Sequence, residues 1–297
     1  MERFLSASDY ISGDRFDVVR CLRCGAAITE AHDAAGYYDE GYYGQRKSFV
    51  EGAVNSFRVR KLSRMAGSDP RKELLDIGCG NGSFLMAARR DGWDAQGTEI
   101  APSSHIMTGA GAFIRSGDFL RLEFPADRFD GVTLWHSLEH VTDPAGYIRK
   151  IGSVLKPGGF VMIEVPDIDS LQAEAFGENW FHLDVPRHLF HFSPESLKRL
   201  LEENRFTDIS VRPGSFIYCY FGWLQSILNK VSRRKNLLFD LMNGKISARE
   251  AYAKHARDMM TTVACVPFAV VFAALFSVLG MCLGRSGVML VSARKKS

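Results

Sequence analysis

The sequence predicts an α/β fold, in which short buried strands alternate with helices around one sheet. Three observations predict it. Apolar runs of strand length recur at Leu74-Leu-Asp-Ile77, Phe129-Asp-Gly-Val-Thr-Leu-Trp135 and Phe160-Val-Met-Ile-Glu-Val165, and helix-forming stretches lie between them. The first run ends in alternate glycines, Gly78, Gly80 and Gly82, and passes at once into the helix-forming Ser83-Phe-Leu-Met-Ala-Ala-Arg-Arg90. Two later helix starts are marked by a capping residue followed by proline, at Asp143-Pro144 and Ser193-Pro194.

With 297 residues, 46% hydrophobic and 24% charged, the chain can bury one large core with additions, or two cores. A net charge of +3 is too small to argue for a nucleic-acid partner. Six cysteines in a chain of this size do not make a disulfide scaffold, and Cys79 inside the glycine loop suits a reducing compartment. The first twenty residues lack the apolar stretch of a secretory signal, so the expected location is cytoplasmic.

In chain order, Cys21-Leu-Arg-Cys24-Gly25 comes first. Two thiolates at this spacing suit half of a tetrahedral zinc site, with His32 and Asp33 as nearby further ligands; a plain tight turn is the alternative. Tyr37-Tyr-Asp-Glu-Gly-Tyr-Tyr43 follows, and then Phe49 to Val59 with helical spacing. The tyrosines either pack at a domain edge or reach a substrate. Next is the strand and glycine turn already described. Its helix would point unsatisfied N–H groups at a ligand. A dinucleotide loop wants G-x-G-x-x-G, but here the third glycine is one place early and Ser83 stands where Gly or Ala is needed.

Trp93-Asp-Ala-Gln-Gly-Thr-Glu99-Ile100 reads as the second strand, closed by Glu99, with Pro102 starting a helix. A carboxylate there presents two oxygens to a ribose diol. Ala112 to Phe119 reads as the third strand and its loop, and Phe129 to Trp135 as the fourth. Leu155-Lys-Pro-Gly-Gly159 turns into the fifth, from Phe160 to Val165. Arg205 to Pro213 and Gly287 to Arg294 read as the sixth and last strands.

Taken together, Glu73-Leu-Leu-Asp-Ile-Gly-Cys-Gly-Asn-Gly-Ser83, Glu99, Asp118-Phe119 and Leu155-Lys-Pro-Gly-Gly159 resemble the class I S-adenosylmethionine-dependent methyltransferases. The resemblance covers roughly residues 70–213 and resumes at the C-terminus. It implies a Rossmann-like seven-stranded sheet of order 3-2-1-4-5-7-6, the last strand antiparallel, with helices on both faces. It also implies S-adenosylmethionine as cofactor, held by Asp76, Gly78, Cys79, Gly80, Gly82, Phe84, Glu99, Ile100, Asp118, Phe119, Trp135 and His136. In that family the aspartate at Asp118 bonds the adenine amine and the next apolar residue stacks on the ring. Sugar methyltransferases of similar organisation carry a complete zinc ribbon where this chain has Cys21 and Cys24 alone. The implied organisation is a ribbon-like arm at 1–36, a helical lid at 37–66, a core at 67–214 and 287–297, and an insertion at 215–286.

Two clusters compete for the chemistry. His136, Glu139 and His140 resemble part of a divalent-metal site in quinone-biosynthesis O-methyltransferases, although His136 stands where that site has a glutamate. The loop Trp180-Phe-His-Leu-Asp-Val-Pro-Arg-His-Leu-Phe-His-Phe-Ser193 follows strand five, where open α/β sheets bind ligands. It resembles a segment whose histidine is catalytic in sugar C-methyltransferases, and His188 matches that histidine. The catalytic assignments are therefore His188 as general base, with His136, and with Arg187 or His191 contacting an anionic or polyol substrate. A helix-entry hydrogen bond is the alternative role for His188.

The insertion opens with the apolar Ser215 to Leu228, then Lys230, Arg233, Arg234 and Lys235. Residues 259–284 carry no charge, long enough to span a bilayer. Strands six and seven must share a sheet, so one crossing does not serve; a re-entrant or interfacial helix pair on an anionic membrane does. Packing on the core or a homodimer interface is the alternative. The expected activity is methyl transfer to a small-molecule, saccharide or lipid-linked acceptor at the cytoplasmic membrane face. The alternatives are a metal-dependent quinone-type O-methyltransferase and a non-catalytic cofactor-binding scaffold.

Overall fold

A computed structural model of the chain describes residues 1–31, 35–37, 51–66, 72–100 and 109–296. The elements run β1 (Glu2–Ser8), β2 (Arg15–Arg20), β3 (Ala27–Thr29), α1 (Glu51–Ala66), β4 (Glu73–Ile77), α2 (Ser83–Arg90), β5 (Asp94–Glu99) and β6 (Ile114–Ser116). Then come β7 (Phe129–Trp135), α3 (Pro144–Val154), β8 (Leu155–Pro166), α4 (Leu171–Phe176), β9 (Phe190–His191), α5 (Pro194–Glu203) and β10 (Phe206–Pro213). The last are α6 (Phe216–Val231), α7 (Leu237–Met242), α8 (Ala248–Cys282) and β11 (Val288–Lys295). These form two compact units. One comprises Met1–Ser48, Pro166–Pro194 and Pro213–Met289; the other comprises Phe49–Val165, Glu195–Arg212 and Leu290–Ser297.

The second unit carries a seven-stranded sheet of order β10-β11-β8-β7-β4-β5-β6. This is the order expected from the sequence. β4 lies inside it, parallel to β5 on one side and β7 on the other, which explains its nearly continuous apolar run. Leu62 of α1 and Phe84, Leu85 and Ala88 of α2 join Leu74, Trp93, Trp135, Phe160 and Met162 in one core cluster. Each Leu, Phe or Met side chain among them contributes about 1.5–3 kcal/mol on removal from water. α3 starts as expected, with the Asp143 carboxylate accepting from the Gly146 N–H at 2.8 Å and Pro144 in the first turn. The Leu155-Lys-Pro-Gly-Gly159 turn differs from expectation: it lies inside β8 rather than before it. Phe129 pairs with Leu155 but Gly131 pairs with Phe160, so the turn is a bulge in a strand that has already begun. β6 spans three residues, preceded by a single 3-10 turn at Gly111–Phe113. The helix expected from Pro102 lies outside the described residues.

The first unit contains an element that the sequence reading missed. β1, β2, β3 and β9 form a four-stranded sheet in which each strand runs antiparallel to the next. Its core is Ala7, Val18 and Ala27 against Ile168, Trp180, Leu183 and Val185. Cys21 to Gly25 connects β2 to β3. The Gly25 N–H donates to the Cys21 carbonyl at 2.9 Å and the Cys21 N–H to the Ala26 carbonyl at 2.8 Å, so the C-x-x-C segment is a closed hairpin turn. Both thiols are free and half-buried, and among the described residues no third metal-ligating side chain gathers with them. His32, Asp33 and Tyr38 to Tyr43 lie outside the described residues. The insertion is helical, as expected. α6 and α8 pack through Trp223, Leu224, Leu228, Ala269 and Ala273. α8 is broken at His255, whose φ of −137° and ψ of 41° are not helical.

Candidate functional site

The second unit assembles most of the residues assigned to the cofactor at the carboxyl ends of β4, β5 and β7. After β4 the chain turns through Gly78 and Gly80, both at positive φ (72° and 55°). At Gly78 this is a close approach: a Cβ would stand 2.5 Å from the Ser137 Cβ, and the Ser137 hydroxyl donates to the Ile77 carbonyl at 2.8 Å. At Gly80 a Cβ would meet nothing within 4 Å. The backbone there borders open space, and its N–H donates to Glu99 Oε2 at 2.8 Å. Glu99 Oε1 accepts from the Ile100 N–H at 2.9 Å, so the carboxylate is anchored at both oxygens while each keeps a further lone pair. The Ile100 side chain is exposed beside it.

Several assigned residues support this loop from within rather than lining it. Asp76 is only 2% exposed and accepts from the Thr133 hydroxyl at 2.6 Å. Burial pushes its carboxyl up to about 7, with Glu99 adding to the rise and Thr133 and Arg58 opposing it. Cys79 is buried, and burial, then Asp76 and Glu99, push its thiol far above the usual range. Gly82 caps α2 in a left-handed conformation, and Phe84 packs edge-on against Trp135 at 5.2 Å.

Asp118 is half-buried, accepting from the Tyr147 hydroxyl at 2.7 Å and the Leu120 N–H at 3.0 Å. Phe119 is 1% exposed and packs against Phe124 and Tyr147. Its ring therefore belongs to the core in this structure, and the stacking face expected of it is not presented.

A charged cluster that the sequence reading did not anticipate lies beside Trp135. Arg58 Nη2 donates to Glu164 Oε2 at 3.2 Å, and its guanidinium carbon lies 4.7 Å from the Trp135 ring centre. His136, at a φ of 54°, holds Nδ1 3.3 Å from Glu139 Oε1 and Nε2 3.9 Å from Glu164 Oε2. Glu139 and Glu164 are both buried. Further along α1, Glu51 accepts from Asn81 Nδ2 at 3.0 Å and from the Ser83 hydroxyl, which in turn accepts from Asn55 Nδ2 at 3.0 Å. Glu51, Asn55 and Arg58 are spaced i, i+4, i+7, one face of α1. That polar stripe was the sequence signal that could have found them.

The other three assigned residues belong to the first unit, and two have structural roles. Arg187 is fully buried; Nη2 donates to Asp9 at 2.6 Å and to Asp184 at 2.8 Å, and the guanidinium lies 4.9 Å from the Tyr10 ring centre. Its charge is committed to two carboxylates, which overturns the expected substrate contact. His191 is 3% exposed. The Thr29 hydroxyl donates to the His188 carbonyl at 2.7 Å, so at 2.9 Å it accepts from His191 Nε2. Burial lowers the His191 pKa to about 4, leaving it neutral and structural rather than at a substrate. His188 Nδ1 lies 2.8 Å from the His182 carbonyl, which can only accept, so Nδ1 carries a proton.

The residues around the open glycine loop fit an adenosyl cofactor. A backbone without side-chain obstruction stands beside one anchored carboxylate, and a second half-exposed carboxylate follows the neighbouring strand. A family model described as a methyltransferase domain matches residues 49–211. Among curated proteins, the ubiquinone biosynthesis O-methyltransferase of Bordetella avium is 32% identical over 117 residues, covering 37% of this chain and 48% of that protein. Its counterpart from Serratia proteamaculans is 30% identical, covering 36% and 48%. The chain thus spans about half the length of the curated relatives it matches. Among solved structures, phosphoethanolamine N-methyltransferase 2 of Haemonchus contortus with bound S-adenosyl-L-methionine is similar at a TM-score of 0.54 and 18% identity, covering 82% of this chain and 53% of that one. A SAM-dependent methyltransferase from Archaeoglobus fulgidus gives 0.52 and 20%, covering 89% and 100%. At these identities the structures establish the fold.

Proposed function

The chain belongs to the class I S-adenosylmethionine-dependent methyltransferases, and from that premise we propose that it methylates a hydroxyl of a small-molecule, saccharide or lipid-linked acceptor at the cytoplasmic face of a membrane. The observation that carries the reading is the open backbone at Gly80 joined by its N–H to the Glu99 carboxylate. When bound there, S-adenosylmethionine supplies a methyl group activated by the positive sulfonium. Glu99 accepts the ribose hydroxyls with its remaining lone pairs, and Asp118 accepts the adenine amine. The proton that the acceptor hydroxyl releases goes to a general base, for which His188 is the candidate. Positioning of the acceptor supplies much of the remaining acceleration.

A second reading is supported by the curated relatives named for ubiquinone biosynthesis: the acceptor is a quinol or catechol hydroxyl, with Glu139 and His140 contributing to a divalent metal site. The buried, acceptor-rich Glu139 favours it. Calorimetry with S-adenosylmethionine, followed by radiolabelled methyl transfer to sugar, catechol and lipid-linked panels with and without EDTA, tests both. Turnover resistant to EDTA supports the first reading, and EDTA-sensitive turnover on catechols supports the second. Binding without turnover on any panel supports a scaffold and overturns both.

A further inference from the structure

The outward face of α8 is apolar where a water-soluble helix is polar. From Met259 to its end, the helix carries no Asp, Glu, Lys or Arg. Its buried residues there are small, Thr262, Ala269, Ala273, Ser277 and Gly280. Its large side chains point away from the fold: Val263, Phe268, Val271, Phe272, Leu275 and Val278 are between 50% and 70% exposed. At about 100° per residue these six spread over about half of the circumference. A soluble amphipathic helix does the reverse, burying large apolar residues and exposing polar ones. Small residues at four-residue spacing toward a partner helix, with large apolar residues outward, is the arrangement used in hydrocarbon.

We propose that the outward face of α8 inserts into the hydrocarbon of an anionic lipid bilayer, holding the protein as a monotopic membrane protein. This stretch of α8 is about 36 Å long, against about 30 Å of hydrocarbon. β10 precedes α6 and β11 follows α8, and the two are neighbours in one sheet, so the chain enters and leaves the insertion on one side. α6 does not supply a returning span, because its 16 residues reach only about 24 Å and half of them are buried. The flank selects the lipid: residues 230–258 hold eight Lys or Arg against three Asp or Glu, with Lys230, Arg233, Arg249, Lys254 and Arg257 exposed. A second copy of the chain fits less well, since protein interfaces are rimmed by polar groups all round and the exposed charges of α8 lie only at its N-terminal end. The inference rests on the membrane location given above and not on the methyl-transfer chemistry.

Flotation of the full chain with phosphatidylcholine vesicles, with and without phosphatidylglycerol, tests it. The wild type is expected to float with the anionic vesicles and to stay bound in 1 M NaCl. The double variant Phe268→Glu/Leu275→Glu is expected to lose at least tenfold in partitioning while keeping its S-adenosylmethionine affinity. Phe272→Trp gives a readout that does not depend on that variant folding: its added fluorescence is expected to be quenched by lipids brominated along the acyl chain. No flotation of the wild type, complete stripping by salt, equal flotation of the double variant, or no added quenching would each overturn the proposal. So would a wild-type dimer that the double variant makes monomeric without any vesicle binding. Failure of the wild type to bind S-adenosylmethionine would sink the methyl-transfer reading and leave the flotation result standing.

Discussion

Arg58 and Glu164, 106 residues apart in sequence, form a buried ion pair at 3.2 Å with side chains 10% and 0% exposed. The pair joins α1 to the inner strand β8. Removing one partner leaves a buried charge, which costs about 3–5 kcal/mol. Arg58→Met is expected to destabilise the protein by about that amount in urea unfolding, and the double variant Arg58→Met/Glu164→Gln by clearly less. Equal losses in the single and double variants would show that the pair is not coupled.

Gly80 combines a φ of 55° with open space where a Cβ would go. Gly80→Ala is expected to cost about 1–2 kcal/mol of stability from the left-handed backbone and roughly tenfold or more in S-adenosylmethionine affinity by calorimetry, since the methyl group enters the cradle. A large stability loss with unchanged affinity would place the ligand elsewhere.

Glu99→Gln keeps one acceptor oxygen but loses the charge-assisted bonds to the Gly80 and Ile100 N–H groups. Hydrogen bonds to charged groups contribute about 1.5–3 kcal/mol each. The variant is expected to melt several degrees below wild type and, having also lost a charged acceptor for the ribose, to bind S-adenosylmethionine about 10–100-fold more weakly.

Two buried groups tilt stability with pH in opposite senses. Asp76 is raised by burial from 3.8 to about 7. Its contribution is complete below its unfolded value and is lost as pH rises through about 7. His191 is lowered by burial from 6.5 to about 4, so its contribution is complete above 6.5 and is lost as pH falls toward 4. Asp76→Asn is expected to gain stability over wild type at pH 8, by up to about 4 kcal/mol, with little gain at pH 4. His191→Gln is expected to flatten the loss between pH 6.5 and 4. Urea titrations at the two ends of each window read both effects, and parallel wild-type and variant curves would contradict them.

His188→Gln is expected to lower kcat by about 100-fold or more, the usual contribution of a general base, with S-adenosylmethionine affinity unchanged. Unaltered turnover would remove His188 from the chemistry and leave it as the partner of the His182 carbonyl.

The glycine turn and the Asp143 cap were legible because each is written in a few adjacent residues, and the sheet order came with the family resemblance that the glycine turn carries. What escaped depends on partners far away in the chain. Arg187 looks like a ligand for an anion until Asp9, 178 residues earlier, neutralises it. His191 looks available until Thr29 accepts its hydrogen bond. The sheet β1-β2-β3-β9 escaped for another reason. Its strands bury only an occasional residue, such as Ala7 and Val18, so no apolar run or clean alternation announces them.

In the seven-stranded sheet β11 comes last in sequence but sits between β8 and β10 in space. During synthesis the ribosome therefore delivers α6, α7 and α8 before the strand that fills the gap. Until β11 arrives, β8 and β10 lack the neighbour that separates them, and the long uncharged stretch of α8 is already made. An unpaired strand edge and a bare apolar helix are the two features that drive nascent chains to aggregate. Lipid present during translation would cover one of them while the other waits. Expression in a membrane-free translation system is then expected to yield more aggregate than the same reaction with anionic vesicles.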